Sequence, residues 1–197
     1  MNLKDLRGQT AVVGVGTFGC GEAHGYTEME LLARSAQMAV REAGLTMKDI
    51  DGVCTASVSS SMWGLAVPEY LGLNARFIDS TMIGGSSFVA HLLPAMLALE
   101  SGLCNAVLVC YGSTQRTATF GRKEINASRK FLDPMPFEHP YDPMMPASAY
   151  ALAASRHMHQ YGTTREQMAE VAVAARAWAQ RNPEAFRREP RTIQEVL

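Results

Sequence analysis

Ser80-Thr81-Met82-Ile83-Gly84-Gly85-Ser86-Ser87-Phe88 decides how the rest of this 197-residue chain is read. The stretch follows an extended run, Ala75 to Asp79, and opens a segment that is apolar almost all round. From Phe88 to Leu99 the one polar side chain is His91 and the one breaker is Pro94. The pattern predicts a helix over about 86–102, and a helix apolar on every face is expected to be buried on every face. Its N-terminus, fed by a Gly-containing turn, would present backbone N–H groups and a positive dipole end to whatever sits at Thr81. An enzyme mounts a nucleophile beside an anion-stabilising pocket in this way. A plain tight turn at a helix start is the other reading of the same residues.

Outward from that turn, residues 10–113 alternate strand-like and helix-like segments, which implies a parallel sheet covered on both faces. Ala11–Val15 reads as a buried strand. Thr27 with Glu30 makes a capping box, and the helix it starts carries Leu32, Ala36, Val40 and Ala43 on one stripe, opposite Glu30, Arg34, Gln37 and Arg41. Gly44 ends it. Asp51–Ser57 and Ala75–Asp79 read as the next strands. Asn105–Tyr111 is so apolar that a central place in the sheet is expected for it.

Residues 114–146 show no periodicity. They carry Pro134, Pro136, Pro140, Pro143 and Pro146 together with Arg116, Arg122, Lys123, Arg129 and Lys130. A stretch of this length without periodicity is usually a functional loop or a disordered one. Two helices are expected after it, over about 147–161, closed by Gly162, and about 164–181. Thr163 and Glu166 would cap the second and Asn182-Pro183 would stop it. The reading is therefore of an α/β core over 1–113 and a loop-rich helical subdomain over 114–197.

Composition narrows the functional classes. Lys+Arg 18 against Asp+Glu 19 gives a net charge of −1, which argues against nucleic acid or an acidic membrane surface as partner. No apolar run approaches the ~18 residues of a spanning helix, and the first residues lack a secretory apolar core, so a cytoplasmic protein is expected. Cys20, Cys54, Cys104 and Cys110 lack Cys-x-x-Cys spacing and read as reduced, buried thiols. His157 and His159, two apart on one helix, point about 200° away from each other and are not expected to share a metal.

Gly14-Val-Gly-Thr-Phe-Gly19 has the dinucleotide-binding spacing and follows a strand-like run. Against that reading, the next helix starts only at Thr27, Gly21 and Gly25 interrupt the residues that should already be helical, and Asp51 precedes the second strand rather than closing it.

The nucleophile-like turn resembles that of the thiolase superfamily, the lipid-transfer or sterol-carrier type in particular, where Asn-Cys-small-Ser-Gly-small-small leads into a buried helix. Laid on that pattern, Ser80 takes the Asn place and Thr81 the place of the acyl-accepting cysteine. Thr10 to Gly16 resembles the family's first strand. Phe137 to Pro143, Ala149 to Leu152 and His157 to Thr164 resemble its loop domain, and Ala185 to Leu197 continues in register. The resemblance implies the N-terminal half of a layered α/β thiolase fold, with the chain ending before the C-terminal half that holds the family's bases. A homodimer or larger assembly is implied too.

The substrate implied is a coenzyme A thioester, with no tightly bound cofactor and no metal. Ser80 and Thr81 would mark the catalytic position, and Gly84, Gly85 and Ser86 the oxyanion turn. Arg122, Lys123, Arg129, Lys130 and His139 would lie along the coenzyme A, whose phosphates favour Arg and Lys. A threonine hydroxyl without a base is a poor nucleophile. The resemblance therefore points to a cysteine-less member acting on C–C bonds, such as one performing retro-aldol cleavage of a β-hydroxyacyl-CoA (a steroid side chain, for instance). Such members pair with a small OB-fold, zinc-ribbon-like partner. A catalytically silent subunit that binds acyl-CoA or scaffolds an enzyme is the alternative.

Overall fold

The computed structural model describes residues 6–57, 62–118, 137–141, 143 and 146–197. The chain divides into two units, Met1–Thr117 and Ala118–Leu197.

The first unit is built on a three-stranded parallel sheet, β1 (Gly52–Thr55), β2 (Phe77–Asp79) and β3 (Val107–Cys110), in the order β2-β1-β3. Gly52 pairs with Phe77 on one side and Val107 on the other. Parallel neighbours need crossovers. Helix α2 (Trp63–Leu71) connects β1 to β2, and α3 (Ser87–Ala90) with α4 (Leu92–Glu100) connects β2 to β3. Helix α1 (Glu28–Glu42) precedes them, and α5 (Gln115–Ala118) follows β3.

α1 forms as its cap dictates. The Thr27 hydroxyl accepts the Glu30 N–H, and the Glu30 carboxylate accepts the Thr27 N–H at 2.8 Å. The helix then buries Leu31, Leu32, Ala33, Ala36 and Val40. Leu32, Ala36 and Val40 make one core with Ile50, Val53, Trp63, Val67, Leu108 and Cys110. Fully burying a Leu or Val side chain contributes about 1.5–3 kcal/mol before chain entropy is subtracted.

Three expectations are corrected here. Residues 11–15 do not form a strand: Val12, Val13 and Val15 are 75%, 64% and 67% exposed. The segment lies on α1 through its glycines instead, and the Val15 N–H is bonded to the Glu42 carboxylate. The apolar helix expected over 86–102 is two helices that break at His91. Pro94 has no N–H to give the Ala90 carbonyl, so the ladder is interrupted there. It is not buried all round either, since Val89 is 72% exposed and Leu92 and Leu93 are also exposed. Finally, β3 pairs on one side only among the described residues, and β1 is the central strand. The apolar side chains of β3 are covered from the faces, by α1 and α4, rather than by strands on both edges.

In the second unit α6 (Ala147–Tyr161) ends at Gly162, whose φ of 69° is the left-handed cap glycine favours. Helix α7 (Arg165–Arg181) follows and stops at Asn182. Its cap is one residue later than expected. The Thr164 hydroxyl accepts the Gln167 N–H and the Gln167 side chain accepts the Thr164 N–H, because Thr164 is the residue in extended conformation at the helix entrance. A short helix α8 (Ile193–Val196), capped by Thr192 and Glu195, packs on α7, where Arg165 donates to the Leu197 carbonyl. Among the described residues no helix is long and apolar enough to cross a membrane.

Candidate functional site

β2 delivers the chain at Asp79 to the turn 80–86, and the side chains of Ser80 to Ser86 are exposed. Both backbone groups of Thr81 are held. Its N–H donates to Asp79 Oδ1 at 2.7 Å, and its carbonyl lies 3.0 Å from Nε2 of the fully buried His91. Further on, the buried Ser87 ties the turn to α3: its Oγ accepts the Ile83 N–H at 2.9 Å and donates to the Gly84 carbonyl at 2.7 Å, while the Ser87 N–H donates to that carbonyl at 3.1 Å. The Ile83 N–H is therefore consumed within the turn and unavailable to a ligand. On the other side, Gly64 of α2 lies against Ser80. A Cβ at Gly64 would meet the Ser80 Cβ at 2.9 Å.

The two glycines of the turn are not equivalent. Gly84 has φ +79°, where an L side chain is strained, whereas Gly85 has no positive φ; a Cβ at either position would enter open space. Gly84→Ala should therefore cost about 1–2 kcal/mol, and Gly85→Ala should stabilise slightly or change nothing. Thermal melts of the two variants check this. Equal effects would show that φ at 84 is not the constraint.

No cysteine lies on the turn itself. Cys54 is buried below the turn, its Sγ 4.0 Å from the His91 carbonyl, and burial followed by the Asp79 charge pushes its thiol up to about 12. Burial likewise pushes Cys110 up to about 12 and raises Cys104. A thiol held protonated is neither nucleophile nor ligand. Of the four cysteines only Cys20 is exposed. Ellman's reagent at pH 8 should therefore label one thiol quickly in the native protein and the other three only on unfolding. Rapid labelling of two or more would place Cys54, Cys104 or Cys110 within reach of solvent.

The structure thus brings Ser80, Thr81, Gly84, Gly85 and Ser86 together on one turn. Arg122, Lys123, Arg129 and Lys130 lie outside the described residues. His139 begins a short 3-10 turn, His139–Tyr141. His157 Nε2 lies 3.0 Å from Thr163 Oγ1, and its ring packs on Tyr161. Among the described residues no three metal-ligating side chains cluster. Sequence reasoning missed two members of the site. Asp79 carried a signal, an acidic residue closing an apolar strand directly before the turn. Ser87 carried a weaker one, as the second of a Ser pair at a helix start.

No family model matches the chain. It is 30% identical over 187 residues to a 17-hydroxy-3-oxo-4-pregnene-20-carboxyl-CoA lyase of Mycobacterium tuberculosis, an alignment covering 92% of this chain and 48% of that protein. It is 28% identical to a steroid side-chain-cleaving aldolase of Thermomonospora curvata, covering 96% and 50%, and 27% identical to an acetyl-CoA acetyltransferase of Methanothermobacter thermautotrophicus, covering 95% and 49%. Among solved structures, an Ltp2-ChsH2(DUF35) aldolase superposes with a TM-score of 0.78 at 26% identity, over 94% of this chain and 47% of that one. These relatives and neighbours are thiolase-like, and they support the thiolase superfamily for this chain. A monomeric SCP2-thiolase-like protein type 1 of Mycobacterium smegmatis shares the thiolase fold, with a TM-score of 0.65 at 22% identity, over 94% of this chain and 38% of that one. This thiolase-like chain spans about half the length of the curated relatives it matches.

Proposed function

We propose that this thiolase-like chain takes part in cleaving the Cα–Cβ bond of a β-hydroxyacyl-CoA by a retro-aldol reaction, the acyl group being of the size of a steroid side chain. The observation that carries the reading is the turn itself. Its backbone is held at Thr81 by Asp79 and His91, Thr81 stands where the resemblance puts the acyl-accepting cysteine, and similar proteins include a lyase and an aldolase. A retro-aldol needs no acyl-enzyme. A base removes the β-hydroxyl proton, the C–O electrons form a carbonyl, the Cα–Cβ bond breaks, and its electron pair becomes a thioester enolate that is protonated at Cα. Developing enolate charge calls for preorganised donors. The N–H groups of Gly84, Gly85 and Ser86 take that role, Ser80 and Thr81 flanking the reacting carbons.

We assign the base to the rest of the fold, because the titratable groups touching Thr81, Asp79 and His91, are engaged with its backbone. Arg122, Lys123, Arg129, Lys130 and His139 are proposed as the coenzyme A contacts. The exposed apolar surface at Met82, Ile83, Val89, Leu92 and Leu93 supports assembly, into a homodimer or with a second protein. A small OB-fold, zinc-ribbon-like protein is the partner proposed, since one structural neighbour is itself a two-component aldolase.

The test is incubation of the full-length protein, with and without its partner, with a 3-hydroxyacyl-CoA and separately with a 3-ketoacyl-CoA plus coenzyme A, read by mass spectrometry. Expected are a carbonyl product and a shortened acyl-CoA from the first, and nothing from the second. An acyl group on Thr81, or thiolysis, would overturn the reading. Tight acyl-CoA binding with no cleavage would favour the second reading, a silent subunit, which the loss of the thiol also supports.

A further inference from the structure

We infer that His91 is a positioning residue for the chemistry of the Thr81 turn, acting with Asp79 as a clamp on the two backbone groups of Thr81. The inference rests on the reading of that turn as the reacting site. His91 is fully buried at the break between α3 and α4, ten residues beyond the group it holds. Its own backbone is fixed, the N–H donating to Ser87 O at 2.8 Å, and its ring packs edge-on against Phe88 at 5.9 Å. Nε2 faces a carbonyl at 3.0 Å, so Nε2 carries the proton. Asp79 Oδ1 lies 3.7 Å from that nitrogen and 2.7 Å from the Thr81 N–H. Carboxylate, amide, carbonyl and imidazole thus close a ring around one residue.

The other ring nitrogen shows that this arrangement is not there for packing. His91 Nδ1 is buried with no hydrogen-bond partner among the described residues. An unpaired buried acceptor is destabilising, and a leucine would occupy the same space without it. The fold therefore tolerates a cost to place an N–H beneath the Thr81 carbonyl. Fixing the peptide planes on either side of Thr81 sets the course of the turn up to Ile83. The Ser87 hydroxyl fixes the remainder, so the donors at Gly84 to Ser86 are held relative to Thr81 from both ends. Positioning matters because a misplacement of about 1 Å at a reacting centre can cost roughly 100-fold in rate.

The experiment compares His91→Leu, which removes the donor, with His91→Gln, whose Nε2 reaches the same place, in the full-length protein with its partner. For the leucine variant, kcat in β-hydroxyacyl-CoA cleavage should fall about 10- to 100-fold with KM unchanged, and the melting temperature should hold or rise because the orphaned nitrogen is gone. Glutamine should restore most of kcat. Loss of kcat and melting temperature together, with no rescue by glutamine, would make His91 merely structural and overturn the inference. Amide hydrogen exchange at Thr81, followed by NMR, reads the clamp without any reaction: it should quicken at least tenfold in the leucine variant and stay slow in the glutamine one. Should the leucine variant fail to fold, His91→Asn, too short to reach the carbonyl, must show the same quickening. If the unaltered protein cleaves nothing, the functional reading falls while exchange still decides the clamp, and unchanged exchange in the variants overturns it.

Discussion

Alanine at both Gly14 and Gly16 should remove a large part of the first unit's stability margin, each replacement costing about 1–3 kcal/mol against a total of roughly 5–15. The obstacle in both places is backbone, which cannot swing aside. A Cβ on Gly14 would come within 2.1 Å of the Ala39 carbonyl oxygen and 3.0 Å of the Ala43 nitrogen. A Cβ on Gly16 would come within 2.3 Å of the Ser35 carbonyl oxygen and 2.6 Å of the Ala39 nitrogen. These are backbone atoms of α1 and of its C-cap Ala43, and α1 is the helix that supplies Leu32, Ala36 and Val40 to the core. Accommodating either methyl means lifting residues 11–18 off α1 or pushing α1 into the sheet. Urea unfolding of the single and double variants measures the effect, with Gly85→Ala as a control in open space. An unchanged midpoint in the double variant would mean that the segment does not pack on α1 as described.

The same distances give the glycine spacing a packing reason, in line with the arguments against reading it as a nucleotide signature. Gly14 and Gly16 allow an extended segment to lie directly on a helix, and Gly19, with φ +67° and Leu31 Cδ2 2.6 Å from where its Cβ would be, turns the chain over that helix. Close packing and phosphate binding both select glycine, so letters alone do not separate them. The Ala11–Val15 reading failed for a related reason. Branched apolar residues show that a segment suits a sheet, but a strand exists only when a second segment offers its edge, and none of the described residues does so here.

Legibility follows how local the cause is. The Thr27–Glu30 box and the left-handed Gly162 act within a few residues, and both were readable from the sequence. α2 was not, because Gly64 and Pro68 break its pattern and its stability comes from burying Trp63 and Val67. The turn at Ser80–Ser86 was legible through its glycines and the apolar run after it. The clamp on Thr81 was not, since it joins a strand end to a helix break across twelve residues of sequence, and nothing in Asp79 or His91 alone announces the other.

Asp51→Ala should be the most damaging change at a polar position of the sheet, costing about 1–3 kcal/mol at neutral pH, as expected for stranding donors to a partly exposed charged group. Asp51 stands where all three strands begin. Its Oδ1 accepts the N–H groups of Asn105 at 2.7 Å and Ala106 at 3.0 Å, and its Oδ2 accepts the Asn105 side-chain amide at 2.9 Å. Its backbone carbonyl accepts from Arg76 at 2.7 Å, while the Gly52 N–H reaches the Ala106 carbonyl at 3.0 Å. One side chain therefore sets where β3 starts relative to β1, and β1 in turn sets β2. Desolvation works to raise this carboxyl, but the N–H groups of Ala106 and Asn105, the Asn105 amide and the Arg76 charge outweigh it and hold it below the ordinary carboxylate value. A depressed carboxyl contributes stability that is present above the unfolded value of about 3.9 and is lost as pH falls through the folded one. The gap in unfolding free energy between the unaltered protein and Asp51→Ala should accordingly be constant from pH 7 to about 5 and shrink below about pH 4. Asp51→Asn should recover only part of it, because its amide would point a donor at the Asn105 amide. Urea titrations at pH 7, 5 and 3.5 give the comparison. A gap that persists undiminished at pH 3.5, or is absent at pH 7, would remove Asp51 as the residue that aligns the strands.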